Sequence, residues 1–180
     1  MKILVPVAHG SESLETVSIV NVLRRADFDV TVASIEKDLT ITATRGIRIV
    51  ADQYFIDTEN DRFDLVVLPG GEAGARVLSG CAGLIRMLRT QNESGRLFAA
   101  ICAAPALTLA PHGFLDDRRA TCYPSLREHL ANYVDEPVVI DGNCVTGSGP
   151  GSAMPFALTL VELLAGTRAA STVAQGMLVP

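Results

Sequence analysis

The chain has 180 residues, 48% hydrophobic and 19% charged, with 15 Gly and 9 Pro scattered along it. A chain of this length buries about 70% of its unfolded surface, so a core can form without disulfides or metal, and the composition excludes disorder, collagen and low-complexity structure. Against 20 acidic residues there are 15 basic ones, a net charge of -5 with no Lys/Arg run longer than a pair, which argues against nucleic-acid binding by phosphate neutralisation.

The chain opens with "MKILVPVA", a continuous apolar run of strand length stopped by the turn-forming "HGSES". That run is too short for a signal-peptide core or a membrane span, and it reads as a strand buried on both faces of a cytoplasmic protein. The helical pattern "LETVSIVNVLRRA" follows, and apolar segments then recur at "DVTVAS", "GIRIVA", "DLVVLPGG", "RLFAAIC", "PVVIDGN" and "CVTGSG". Further helical patterns lie at "CAGLIRMLRTQNESG", "AAPALTLAPHG" and "SAMPFALTLVELLAG". Alternation of strand and helix from end to end predicts one α/β domain over residues 1–180, with a mainly parallel sheet covered on both faces. Function in such sheets collects just past the carboxyl ends of the strands. That rule singles out "VAHGSESLE", "VLPGGEAGA" and "AAICAAPA".

In the third junction a strand ends at Cys102 and a helix begins with no loop between, so the thiol sits in a tight turn resembling a nucleophile elbow. Small neighbours, Ala99, Ala100, Ala103 and Ala104, allow close backbone approach, and Pro105 suits a first helical turn. Unpaired N–H groups at the helix N-terminus favour the thiolate and predict a lowered pKa. The alternative is a buried structural cysteine. Cys81, Cys122 and Cys144 lack such a placement, lie far apart without a C-x-x-C, and are expected to be reduced, structural or surface thiols with no metal.

At about 100° per residue, the first helix puts Glu15 on the arc of Ile19, Val22 and Ala26. Burial there raises a carboxyl's pKa and makes Glu15 a candidate proton donor. The competing explanation is a favourable dipole contact near a helix start capped by Ser11 or Ser13. If the first-strand and Cys102 junctions open on one edge of the sheet, acid and thiol meet. Leu14, Val17, Ile19, Val20, Val22, Leu23 and Ala26 also surround the helix over 14–26, which predicts a buried face against a second subunit, or full burial within one chain.

"LPGGEAG" offers bare N–H groups as an oxyanion hole would. It lacks both G-x-G-x-x-G spacing and a Walker lysine, which leaves a nucleotide site weakly supported. "GSGPG" at 147–151 is a similar turn, most often structural. None of His9, His112 and His129 adjoins Cys102 in sequence.

Taken together, "AAICAAPA", "LPGG", "GSESLETV" with Glu15, "TATRG", "GSGPG" and the terminal "VAQGMLVP" resemble the ThiJ/PfpI superfamily. The likeness is nearest to its YajL-like branch, which includes the human parkinsonism-associated deglycase and chaperone. The resemblance implies a flavodoxin-like three-layer sandwich and a homodimer that needs no cofactor. It matches Cys102 to an oxidisable nucleophile, Glu15 to the acid that hydrogen-bonds it, and Gly70 and Gly71 to backbone donors. Arg45 matches a pocket arginine and Arg25 one at the dimer interface, where Val17 and Val20 also belong; Ala103 and Tyr123 complete the substrate site. The implied roles are oxidative-stress defence, attack on glyoxal, methylglyoxal or their protein adducts (glycated proteins), and a redox-regulated chaperone for unfolded clients through Cys102 sulfinic acid. Ala103 stands where the protease-like members have His, which disfavours a peptidase or amidase. Tyr123 stands where the human branch has His, which predicts slow turnover.

Overall fold

The computed structural model describes residues 1–179. Its strands are β1 (Lys2–Val7), β2 (Asp29–Ser34), β3 (Thr40–Thr42), β4 (Arg48–Val50), β5 (Gln53–Tyr54), β6 (Leu65–Leu68), β7 (Leu97–Ile101), β8 (Val138–Asp141) and β9 (Cys144–Gly147). Its α-helices are α1 (Ser13–Arg25), α2 (Glu72–Gly80), α3 (Ala82–Glu93), α4 (Ala153–Ala165) and α5 (Thr167–Gly176). Seven strands form one sheet in the order β5-β2-β1-β6-β7-β9-β8, and all pairings are parallel except β8 with β9. The core strands β2-β1-β6-β7-β9 follow the 2-1-3-4-5 order of flavodoxin-like sheets.

Central parallel strands must be covered on both faces, which is why their sequences are unbroken apolar runs. All of β6 is buried, as is all of β1 and β7 beyond the first residue. Helices flank the sheet in two packed groups: α1 with α4 and α5, and α2 with α3 and the helical segment that follows β7.

Five elements depart from the sequence expectation. The "GIRIVA" run does not enter the main sheet; its three-residue β4 pairs antiparallel with β3 in a separate hairpin, with Arg48 and Val50 exposed. The helices α2 and α5 and the two-residue β5 had no clear signal. After Cys102 the chain is helical, but Pro105–Leu109 is wound as a π-helix and Ala110–His112 as a 3-10 turn, closing at Gly113 in the left-handed region. The buried Thr108 hydroxyl there donates to the Ala75 carbonyl at 2.8 Å and fastens α2 to this segment.

Helix α1 buries Glu15, Thr16, Ile19, Val22 and Leu23 against the core. Ile19, Val22 and Leu23 each contribute about 1.5–3 kcal/mol on removal from water. The other face is mixed rather than apolar all round: Leu14 and Val17 are 53% and 54% exposed, beside exposed Asn21, Arg24 and Arg25. Its N-cap is neither Ser11 nor Ser13 but Glu12, whose side chain accepts the Glu15 N–H. Ser11 is occupied elsewhere, its hydroxyl accepting the Ala8 N–H at 3.0 Å.

Candidate active site around Cys102 and Glu15

The order in which strands are added reverses between β1 and β6, since β1 is followed by β2 on one side while β6, β7 and β9 run on to the other. Open α/β sheets bind ligands at such a switch point. The carboxyl ends of β1, β6 and β7 lie side by side there and deliver the loop before Glu15, the Gly70–Gly71 turn and Cys102.

Cys102 adopts φ 64, a left-handed conformation that a side chain rarely takes, and costs roughly 1–3 kcal/mol unless its surroundings enforce it. They do. Its N–H donates to the Gly147 carbonyl at 2.9 Å, and its carbonyl accepts the Tyr123 N–H at 2.7 Å. Gly70 leaves the room the elbow needs: a Cβ there would stand 2.5 Å from Cys102 Cβ and 2.7 Å from Glu15 Oε2.

Glu15 is fully buried. Its Oε2 accepts the Gly70 N–H at 2.7 Å, while Oε1 is buried with no hydrogen-bond partner among the described residues. Burial, helped by the like charge of Glu12, raises its pKa from the ordinary 4.5 to about 7 against the opposing Gly70 and Cys102 hydrogen bonds. The thiol differs from the sequence expectation: burial and then the Glu15 charge push Cys102 up to about 12. The helix-start donors are present, since the Gly71 and Ala103 N–H groups both favour the thiolate, but desolvation outweighs them. Acid and thiol therefore act as one coupled unit that holds two protons below about pH 7 and shares a single one between about 7 and 12. When the proton rests on Glu15, the carboxylate repulsion is gone, the carboxyl can donate to sulfur, and the thiolate has its donors.

The remaining expected residues fall into place unequally. Gly70 gives its N–H to Glu15, so of the two glycines only Gly71 is directed at the sulfur, with Ala103 as its companion. Arg45 is exposed on a Thr44–Gly46 turn tied to the loop before Glu15 by the Thr44 N–H, which donates to the Ser11 carbonyl at 2.9 Å. Tyr123 is bound to Cys102 through its backbone, while its ring stands over Gly149 at one wall of a groove of about 410 Å³ with Pro124, Pro137 and Pro155. Val17, Val20 and Arg25 line a second groove of about 410 Å³ with Ile49, Val50 and Asp52. Neither groove is lined by Cys102 or Glu15.

The other thiols are free and differently placed. Burial pushes Cys122 up to about 11 and Cys144 up to about 12, and the Cys122 thiol donates to the Tyr123 carbonyl at 3.4 Å. Two histidines have partners outside the site: His9 Nδ1 accepts the Thr42 N–H at 2.9 Å and His112 Nε2 bonds Ser79. His129 lies in the 3-10 turn Pro124–His129. Sequence reasoning missed the Gly147 carbonyl that holds the elbow, and Glu12, which stands inside the quoted "GSESLETV". A carboxylate three residues ahead of Glu15 was the available signal.

Comparison with known proteins gives the same architecture. Residues 1–163 match the DJ-1/PfpI family. The chain is 48% identical over 168 residues to Protein DJ-1 homolog B of Arabidopsis thaliana, covering 92% of this chain and 38% of that longer protein. It is 36% identical over 168 residues to the Glutathione-independent glyoxalase DJR-1.2 of Caenorhabditis elegans, covering 91% and 88%. Among solved structures, oxidized Toxoplasma gondii DJ-1 superposes with a TM-score of 0.96 at 40% identity over 98% of this chain and 97% of that one. With the family matched over residues 1–163, the chain belongs to the DJ-1/PfpI family.

Proposed function

We propose that this protein is a carbonyl- and oxidative-stress enzyme that uses the Cys102–Glu15 pair on glyoxal, methylglyoxal or their adducts on proteins. One observation carries the reading: a fully buried carboxyl with a bare oxygen beside a thiol in a strained elbow. A purely structural cysteine needs neither. The sulfur adds to the aldehyde carbon, the C=O pair moves to oxygen, and the Gly71 and Ala103 N–H groups stabilise that oxyanion until Glu15 protonates it. With methylglyoxal, the Glu15 carboxylate then removes the C1 proton and returns it at C2, and water cleaves the resulting thioester to hydroxy acid and free thiol. The glyoxalase name of the C. elegans relative supports this substrate class.

A second reading draws on the same oxygen. Protonated at Oε1, Glu15 can donate to an oxygen on sulfur, which stabilises a Cys102 sulfinic acid and suits a redox sensor or chaperone; the oxidized T. gondii relative supports it. Steady-state turnover of methylglyoxal separates the two. Product beyond one equivalent per subunit, abolished in Cys102→Ala, establishes catalysis. Product that stops at one equivalent establishes a scavenger or sensor. The partner surface in either reading is a second copy of the chain on the α1 face that exposes Leu14 and Val17, and the compartment is the cytoplasm.

A further inference from the structure

Glu12 takes no part in the chemistry above, yet three loops of the site meet on it. Its backbone N–H donates to the Gly70 carbonyl at 2.8 Å. Its carboxylate accepts the Glu15 N–H on Oε2 at 2.8 Å and the Thr44 hydroxyl on Oε1 at 3.0 Å. Thr44 Oγ1 in turn accepts the N–H of the residue after Glu12, Ser13, at 3.1 Å. Helix capping explains one carboxylate oxygen and leaves the other unexplained, and the preferred caps Ser, Thr, Asp and Asn are all shorter. The longer side chain is what lets the second oxygen reach the turn that carries Arg45.

We propose that Glu12 is a positioning residue for the Cys102–Glu15 pair: its carboxylate clamps the first turn of α1 to the Arg45 turn and sets a like charge beside the buried Glu15. The inference rests on the reading of that pair as reactive. Glu15 faces Cys102 from the turn after β7 and Glu12 from its own helix start. The other charged or titratable groups on the packed loops, His9, Arg45 and Glu72, are exposed. With the Glu12 charge removed, Glu15 holds its proton less firmly, the shared proton moves toward sulfur, and the thiolate population falls.

The test is the pH profile of Cys102 alkylation by iodoacetamide, followed at that residue by peptide mass spectrometry on the full chain. Glu12→Gln keeps an oxygen for the Glu15 N–H and removes the charge. It is expected to slow alkylation at neutral pH about three- to tenfold, the effect of a screened neighbouring charge, and to move the inflection to lower pH. Thr44→Val keeps the charge and cuts the clamp, and is expected to slow alkylation with the inflection in place. A Glu12→Gln profile that superimposes on wild type overturns the proposal; should that variant fail to fold, a Thr44→Val rate equal to wild type overturns it. Iodoacetamide reads the thiolate without any carbonyl substrate. Absent methylglyoxal turnover in the wild type would therefore end the enzymatic reading while leaving this result to stand or fall by itself.

Discussion

On the proposed reading, Cys102 draws its reactivity from the neighbouring Glu15 rather than from an intrinsically acidic thiol. Cys122 and Cys144 are also raised by burial, and the carboxylate that bears on Cys144, Asp141, is opposed by Arg118. Peroxide at low excess is therefore expected to add two oxygens at Cys102 first, with Cys122 and Cys144 unmodified in a peptide map. Glu15→Gln removes the proton carrier and is expected to lower methylglyoxal turnover at least about 100-fold, the usual scale of general acid–base help. The same substitution has a stability signature. A carboxyl raised from 4.5 to about 7 binds its proton more tightly folded than unfolded, so its contribution is fully present below pH 4.5 and is lost as pH rises through 7. Relative to Glu15→Gln, the wild type should lose on the order of 3 kcal/mol between pH 4 and pH 8, measurable by urea denaturation at both. The burial of Glu15 was legible from its helical arc, whereas the direction of the Cys102 shift was not. Sequence shows the helix start that lowers a thiol's pKa but not the depth of burial that raises it.

Among the elements, the segment after the elbow depends on its attachment to α2. Thr108→Ala removes the buried hydroxyl that bonds the Ala75 carbonyl, and is expected to cost about 1 kcal/mol in denaturant unfolding with a parallel rise in the oxidation rate of Cys102 as its support loosens. The strands were readable because β1, β6 and β7 are buried on both faces and must be continuously apolar. Helix α2 was not: Gly74 and Gly80 lie in it and Gly71 precedes it, so propensity masks the helix that packing enforces. In α5 only Val173 is buried, which leaves no periodic stripe to detect. Of the hairpin strands, β4 lies inside the apolar run "GIRIVA" and was legible as a strand, while its pairing with the three-residue β3 was not.

For the whole molecule, the outer face of α1 and the edge of β4 present Leu14, Val17 and Val50 to solvent, with Val50 68% exposed. Light scattering at micromolar concentration is expected to give a dimer, and Val17→Asp to shift it toward monomer while the circular dichroism spectrum stays unchanged. A monomeric wild type would defeat the assignment of that face. The sheet, by contrast, offers little to a second chain through its margins. One boundary strand, β5, is two residues long, and the other, β8, is four residues long and antiparallel. Unpaired backbone at a sheet margin is the template on which unfolding proteins aggregate. With so short a ladder at β5, the longer foothold for strand-by-strand growth on the seven-stranded sheet is Val138–Asp141. Capture of an unfolding chain by this sheet is therefore expected at β8 rather than at β5.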